Sequence, residues 1–168
     1  MALLEILKHP DPRLRNKAKP VETVDATIAQ ITKDMLETMY SEKGIGLAAT
    51  QVNIHQRIIV IDVSEKHDQP IIFVNPVVEE KDGTQVYEEG CLSIPGYTEN
   101  VTRAATLKVS FLDLNNQSQA LMCDGLLAVC LQHEMDHLDG KLFVDYLSDL
   151  KQEIVMKKML KQQKRRGS

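Results

Sequence analysis

Residues 133–137 read His-Glu-Met-Asp-His, so two histidines stand four positions apart with a glutamate between them. On an α-helix, residues i and i+4 lie one turn apart on the same face, and the imidazoles of His133 and His137 can therefore reach one cation. Glu134 then stands beside that cation, where a carboxylate can accept and return a proton. A chain of this composition and length matches the pattern by chance in about one case in a hundred or fewer. The segment therefore predicts a metal centre of the hydrolytic kind.

Two histidines leave such a centre incomplete, because catalytic sites of this type use three protein ligands and one water. Proteases with a longer form of the pattern place a third histidine where this chain has Phe143, which cannot bind a metal. Other proteases use a downstream glutamate, which here would be Glu153 in a basic segment. Cys91 is an alternative, since a thiolate suits a soft divalent metal beside two imidazoles. From the residues alone, a small buried side chain is the other interpretation of Cys91, and the expected one for Cys123 and Cys130.

The totals fit one ordinary globular domain spanning residues 1–168. The chain is 43% hydrophobic and 26% charged, and no apolar run approaches the roughly 18 residues that a membrane span needs. Prolines and charges interrupt the first residues, so we expect no signal peptide and a cytoplasmic location. Three cysteines are an odd number, which disfavours a disulfide framework in a reducing compartment.

Charge is unevenly distributed along the chain. Residues 151–168 carry seven Lys or Arg and one acid, a net +6, whereas residues 1–150 carry 13 basic and 23 acidic residues, a net −10. A basic segment on an acidic body suggests attraction to a polyanion such as RNA. A solvated terminal helix is the alternative explanation.

Hydrophobic periodicity predicts an α+β fold: a single domain of antiparallel β-sheets around the metal-binding helix, with an N-terminal and a C-terminal helix. β-branched runs at 57–64 and 71–78 indicate strands, with Pro76 at an edge or a bulge. Alternation at 106–114 predicts another strand, which turns at Asn115-Asn116 into the segment 118–123.

Each of the three helices has start or stop signals. Asp25 can cap a first helix that runs to about Tyr40 and ends at 43–46. Asp124 can cap the metal-binding helix, which Gly140 would end after Asp139. Ser148 can cap the last helix, so that 148–168 forms a basic C-terminal helix.

Three separate motifs resemble those of bacterial peptide deformylases. They are GIGLAATQ at 44–51, EGCLS at 89–93 and QHEMDHLDG at 132–140, and they stand in the family's order and spacing. The resemblance covers nearly the whole chain. It implies that Cys91, His133 and His137 bind one divalent metal, with water completing a tetrahedron. It also implies Fe(II) as the native ion, replaceable by nickel, cobalt or zinc; a Cys-His-His set by itself suits zinc equally.

The resemblance further implies removal of the formyl group from N-terminal formylmethionine of nascent proteins, giving formate and a free N-terminal methionine. Hydroxide formed from metal-bound water would attack the formyl carbon, and Glu134 would take the water's proton and deliver it to the departing amine. The Gln51 side-chain amide and the Leu92 backbone N–H would stabilise the oxyanion. For Gln51, a hydrogen bond to nearby backbone is the alternative.

Candidate substrate-binding residues lie in the first two motifs and on the metal-binding helix. Bare backbone near Ile45 and Gly46 would let an extended peptide pair like an added strand, and Gly90 belongs to the same group. Three residues on the metal-binding helix would line a pocket for the methionine side chain, with core packing as the alternative for each. They are Leu126, Val129 and Cys130. The resemblance also implies transient ribosome binding through the basic C-terminal helix, and no role is transferred to segment 96–100.

Two rival functions share parts of this pattern. A metalloprotease acting on internal peptide bonds would use the same helix but needs another third ligand, and Phe143 counts against it. A non-catalytic metal-binding or RNA-binding module is the second rival. A closed structural metal site usually shows a fourth Cys or His, whereas Glu134 beside an open position indicates catalysis.

Overall fold

Seven strands form two antiparallel sheets in the computed structural model, which describes residues 2–166. Five strands form the larger sheet in the order β1-β2-β3-β6-β7, and β4 and β5 form a separate hairpin. The strands are β1 (Gly46–Ala48), β2 (Ile58–Ile61), β3 (Ile71–Asp82), β4 (Gln85–Cys91), β5 (Ile94–Arg103), β6 (Thr106–Leu112) and β7 (Ser118–Asp124). The α+β class with antiparallel sheets is confirmed.

Within residues 2–166, three α-helices accompany the sheets: α1 (Ala26–Ser41), α2 (Gly125–Leu138) and α3 (Asp149–Arg166). The Asp25 side chain accepts a hydrogen bond from the Ile28 N–H at 3.0 Å, which confirms the predicted cap of α1. Ser148 likewise accepts from the Lys151 N–H at 3.2 Å at the start of α3. The last two residues of the predicted segment 148–168 lie outside the described residues.

Strand β2 shows why the helices lie where they do. All four of its residues are buried, because each face of the strand carries a helix. Ile59 and Ile61 belong to the core that includes residues of α2, whereas Ile58 and Val60 belong to the core that includes residues of α1. Because successive side chains of a strand point to opposite faces, alternate residues of this apolar strand pack into two different cores. This packing holds α2, with its metal motif, against the sheet.

Several local predictions are settled by the structure. Pro76 lies at a bulge, since the β3–β6 register shifts between Val74 and Val77 and Asn75 has φ +51°. Asp124 stands at the N-cap position of α2, but the expected side-chain cap is wrong. The β7 ladder and the φ of +52° at Gly125 bring the chain into the helix without that bond.

Two further features differ from expectation or bear on location. Helix α1 ends at the predicted place, yet the left-handed residue there is Lys43, with φ +57°, rather than a glycine. Among residues 2–166, no helix is both long and apolar enough to cross a membrane.

Candidate metal centre and active site

Three side chains from two elements meet at one point. Helix α2 contributes His133 and His137, whose Nε2 atoms lie 3.2 Å apart. The hairpin contributes Cys91, the last residue of β4, whose Sγ lies 3.3 Å from His137 Nε2. The three ligand atoms all lie within 4.8 Å of one another. The structure therefore places the predicted thiol beside both predicted imidazoles.

The chemistry of this donor set fits a soft or borderline divalent cation. Two imidazole nitrogens and one sulfur are the ligands that zinc and ferrous iron accept. Glu89 accepts a hydrogen bond from Nδ1 of His133 at 2.8 Å, which leaves Nε2 of that ring facing the other two ligand atoms. Cys130 stands apart from this set, since burial raises the pKa of its thiol well above the usual value and keeps it protonated.

Glu89 belongs to a buried ion network between the hairpin and α2. Arg103 of β5 donates two hydrogen bonds to Glu89, at 2.8 and 2.9 Å, and a third to Asp136 of α2 at 2.6 Å. The Glu89 and Arg103 side chains are only 3% and 4% exposed. Burial opposes the ionised form of Glu89, but its bonds to Arg103 and His133 outweigh burial and lower its pKa. The network thus fixes the orientation of His133, one of the three predicted metal ligands.

Glu134 lies beside the three ligand atoms but outside the ion network. Its carboxyl is buried, and Oε1 has no hydrogen-bond partner among the described residues. Burial raises the pKa of Glu134 to about 7, with the negative charge of Glu89 acting in the same direction against the opposing effect of His133. A carboxyl with a pKa near 7 can both accept and donate a proton at neutral pH.

Gly46 makes room for this carboxyl. A Cβ atom at Gly46 would lie 2.5 Å from Glu134 Oε2 and 2.5 Å from Cys130 Sγ. Both atoms would have to move to admit any side chain. Position 46 of the first motif must therefore be glycine because α2 packs too closely for a side chain. Gly46 serves this contact and does not terminate helix α1.

Gln51 is held with its amide toward the sulfur. Its Oε1 accepts from the Ala48 N–H at 2.9 Å, while Nε2 donates to Ser93 Oγ at 3.1 Å and faces Cys91 Sγ at 3.7 Å. The backbone bond expected as the alternative exists, and it orients the amide N–H group toward the metal centre. Leu92 follows Cys91 directly and lines the cavity that opens beside the three ligand atoms.

A cavity of about 510 Å³ opens beside the three ligand atoms. Its lining includes all of the residues expected at the substrate: Ile45, Gly46, Gly90, Leu126, Val129 and Cys130. β1 is an edge strand of the large sheet, and β4 pairs only with β5 among the described strands. An extended chain in this cavity would therefore lie between two strand edges.

Sequence reasoning missed the hairpin and the ion network that it carries. The hydrophobic residues of segment 85–103 do not alternate regularly with polar ones, so periodicity does not indicate strands there. One signal was available within the second motif, since Glu89 and Cys91 stand two residues apart and would share one face of a strand. Arg103 and Asp136 gave no such signal, because their contacts depend on the three-dimensional packing of β5 against α2.

Phe143, which stands where some proteases have a third histidine, packs against His133, with ring centroids 5.9 Å apart.

Comparisons with known proteins agree with this geometry. The family model described as polypeptide deformylase matches residues 3–153. A peptide deformylase of Xylella fastidiosa is 56% identical over 98% of this chain and 99% of its own length. A peptide deformylase 2 of Xanthomonas campestris is 58% identical over 98% of both chains.

Solved structures give the same result. A peptide deformylase from Legionella pneumophila superimposes with a TM-score of 0.94 at 43% identity, covering 99% of this chain and 98% of that one. The enzyme from Ehrlichia chaffeensis in complex with actinonin gives a TM-score of 0.93 at 38% identity, covering 96% and 98%. With three motifs, one fold and full-length similarity in agreement, this chain belongs to the polypeptide deformylase family.

Proposed function

We propose that this chain removes the formyl group from the N-terminal formylmethionine of nascent proteins, with Cys91, His133 and His137 as its metal ligands. The observation that carries the proposal is the convergence of one sulfur and two imidazole nitrogens within 4.8 Å, beside a buried carboxyl. Membership of the family makes the chain a metal-dependent hydrolase that acts on the N-formyl amide.

The protein's own residues would move the protons of this reaction. A divalent cation, when bound, supplies Lewis-acid activation of water and of the formyl carbonyl. Glu134 takes a proton from the attacking water and gives it to the amine nitrogen as the C–N bond breaks, so that formate and a free amino terminus leave. The amide N–H of Gln51 and the backbone N–H of Leu92 stabilise the charge that develops on the formyl oxygen, each by roughly 10²–10³ in rate.

The cavity would bind the rest of the substrate. Leu126, Val129 and Cys130 offer an apolar surface beside the ligand atoms that suits a methionine side chain. Gly46 and Gly90 stand on the two strand edges and line the cavity, where the peptide backbone would pair as an added strand. The family resemblance also implies that groups larger than formyl are excluded from the space beside the metal.

We assign Fe(II) as the native cation, replaceable by nickel, cobalt or zinc. The thiolate and imidazole donors suit all of these ions, and the motif resemblance favours iron. Metal analysis of protein purified without oxygen tests the assignment, with roughly one iron expected per chain. We also assign the cytoplasm as the site of action, since that is where formylated nascent chains arise, and residues 1–168 as one catalytic domain.

The basic face of α3 would bring the enzyme to the ribosome. Six of the seven Lys and Arg of this helix are the proposed phosphate contacts: Lys157, Lys158, Lys161, Lys164, Arg165 and Arg166. Contacts of this type to phosphates weaken steeply as salt rises. Sedimentation with ribosomes at 50 and 200 mM salt tests this step, and association that ignores salt would contradict it.

Formate release tests the proposed function. Anaerobic, metal-loaded protein is incubated with formyl-Met-Ala-Ser, and casein serves as the protease control. We expect formate without casein cleavage. Casein cleavage without formate would instead support the metalloprotease alternative.

A further inference from the structure

Helix α3 reaches the wall of the substrate cavity. Pro95 and Gly96 line that cavity, and each backbone carbonyl accepts a hydrogen bond from an α3 side chain. Gln162 Nε2 donates to Pro95 O at 3.0 Å, and Lys158 Nζ donates to Gly96 O. The two donors are four residues apart, so they project from the same face of the helix.

Strand β4 forms no ladder pairs with this part of β5, so the hydrogen bonds to the cavity wall come from α3. The β4–β5 register passes from the pair Gly90–Thr98 directly to the pair Cys91–Ile94. In the part of the chain that the structure describes, residues 95–97 therefore lie opposite no residue of β4. We call these three residues the bulge; its peptide groups lack ladder partners from β4, and side chains of α3 take that place.

Other contacts fasten the same helix to the same part of the hairpin. Val155 and Met159 of α3 are fully buried in a cluster that includes Ile94 and Phe143, with Cys91 and Tyr97 packed against it. The Tyr97 ring stacks on Phe143 at 6.3 Å, with Lys158 Nζ 5.9 Å from the Tyr97 centroid. The helix thus contacts the cavity wall from outside, within the segment to which the motifs assign no role.

We propose that Lys158 and Gln162 are positioning residues that hold the bulge as a wall of the substrate cavity and thereby set the affinity for the formylated peptide. This inference rests on the proposed function. Neither residue touches the metal ligands, so their loss affects peptide binding and leaves the chemical step unchanged.

The test uses the full chain with both donors removed, K158M/Q162L. We expect KM for formyl-Met-Ala-Ser to rise at least about fivefold, the lower limit for two lost hydrogen bonds, with kcat within about twofold of the parent. The matched control is K157M/Q163L, which changes the same residue types at exposed positions of the same helix and should leave KM unchanged. K158R keeps a donor and should retain the parental KM.

Hydrogen exchange gives a readout that does not depend on turnover. Amides of residues 96–100 should exchange at least several-fold faster in K158M/Q162L than in the parent and the control, while those of α2 stay unchanged. Faster exchange in a chain that releases no formate would refute the proposed function and leave the wall contact standing. An unchanged KM, unchanged exchange, or an equal change in K157M/Q163L would overturn the inference.

Discussion

Two buried acids of this protein, Glu89 and Asp62, are both held ionised by hydrogen bonds, but they have different structural roles. Glu89 bonds to Arg103 and His133, which lie 14 and 44 residues away on two other elements. Asp62, at the end of β2, accepts from Tyr40 OH at 2.6 Å, from the Ser64 N–H at 2.9 Å and from the Gln69 N–H at 3.2 Å. Glu89 orients His133, a proposed metal ligand, and Asp62 organises the loop that follows it.

The difference shows what a buried charge does in each place. Burial opposes ionisation of both acids, and hydrogen bonds outweigh it and lower both pKa values. Removing Glu89 should therefore affect metal binding and stability together, whereas removing Asp62 should affect stability alone. The four predictions below test this contrast, from the largest expected effect to the smallest.

Replacing Glu134 should change the rate of the reaction and leave metal binding and stability unchanged, so this variant serves as the reference for the other two acids. Its carboxyl has an oxygen without a partner among the described residues, so Glu134→Gln should cost little stability. We expect kcat to fall roughly 10³-fold, the contribution typical of a general acid–base group, with bound metal unchanged. Formate release and metal analysis of the same sample measure both quantities. Activity within tenfold of the parent would remove Glu134 from the mechanism.

Glu89→Gln should weaken the metal centre and the fold at once. Metal affinity should fall about 10- to 100-fold, since the orientation of His133 depends on this carboxylate. The free energy of unfolding should fall by about 3–5 kcal/mol, because Arg103 loses one of its buried partners.

The double variant Glu89→Gln with Arg103→Met separates these two effects. Restored charge balance should recover part of the stability but none of the metal affinity. Metal titration and denaturant unfolding of all three proteins are the measurements, and recovery of both quantities would contradict a specific role of Glu89 at His133.

Asp62→Asn should destabilise the protein and spare the reaction. The new amide group would face N–H donors, at a cost of about 1–3 kcal/mol. We expect the midpoint of thermal unfolding to fall by roughly 3–10 °C, with kcat and metal content unchanged. A loss of metal in this variant would contradict the claim that, unlike Glu89, Asp62 affects stability alone.

The contribution of Asp62 to the free energy of unfolding should decrease as the pH falls. The pKa of Asp62 is lower in the folded than in the unfolded chain, so its stabilisation is fully present above the unfolded value near 3.9 and is lost as pH falls through the folded value. The difference in unfolding free energy between the parent and Asp62→Asn should therefore shrink between about pH 5 and pH 2. Denaturant unfolding across this range measures it, and a constant difference would contradict the assignment.

Features set by neighbouring residues could be predicted from the sequence. Asp25 and Ser148 cap their helices through bonds to N–H groups three residues away, and His133 and His137 meet because one helical turn separates them. The place of Cys91 came from the motif resemblance, since spacing alone left a buried thiol as an alternative.

Features set by distant contacts could not be predicted. The β4–β5 hairpin buries Glu89 and Arg103 against each other, whereas hydrophobic patterning assigns charged residues to the surface. Gly46 is required by the positions of Cys130 and Glu134, more than 80 residues later in the chain. The expected cap by Asp124 failed for a similar reason, because strand pairing and Gly125 define that junction.

X-ray absorption spectroscopy at the metal edge tests the central claim most directly, with zinc-loaded protein as the sample. Convergence of Cys91, His133 and His137 predicts one sulfur at about 2.3 Å and two nitrogens at about 2.0–2.1 Å, with the remaining position filled by a light atom from solvent. The sulfur shell should vanish in Cys91→Ala. A spectrum without sulfur in the parent, or one with a second sulfur or a third imidazole, would contradict the account.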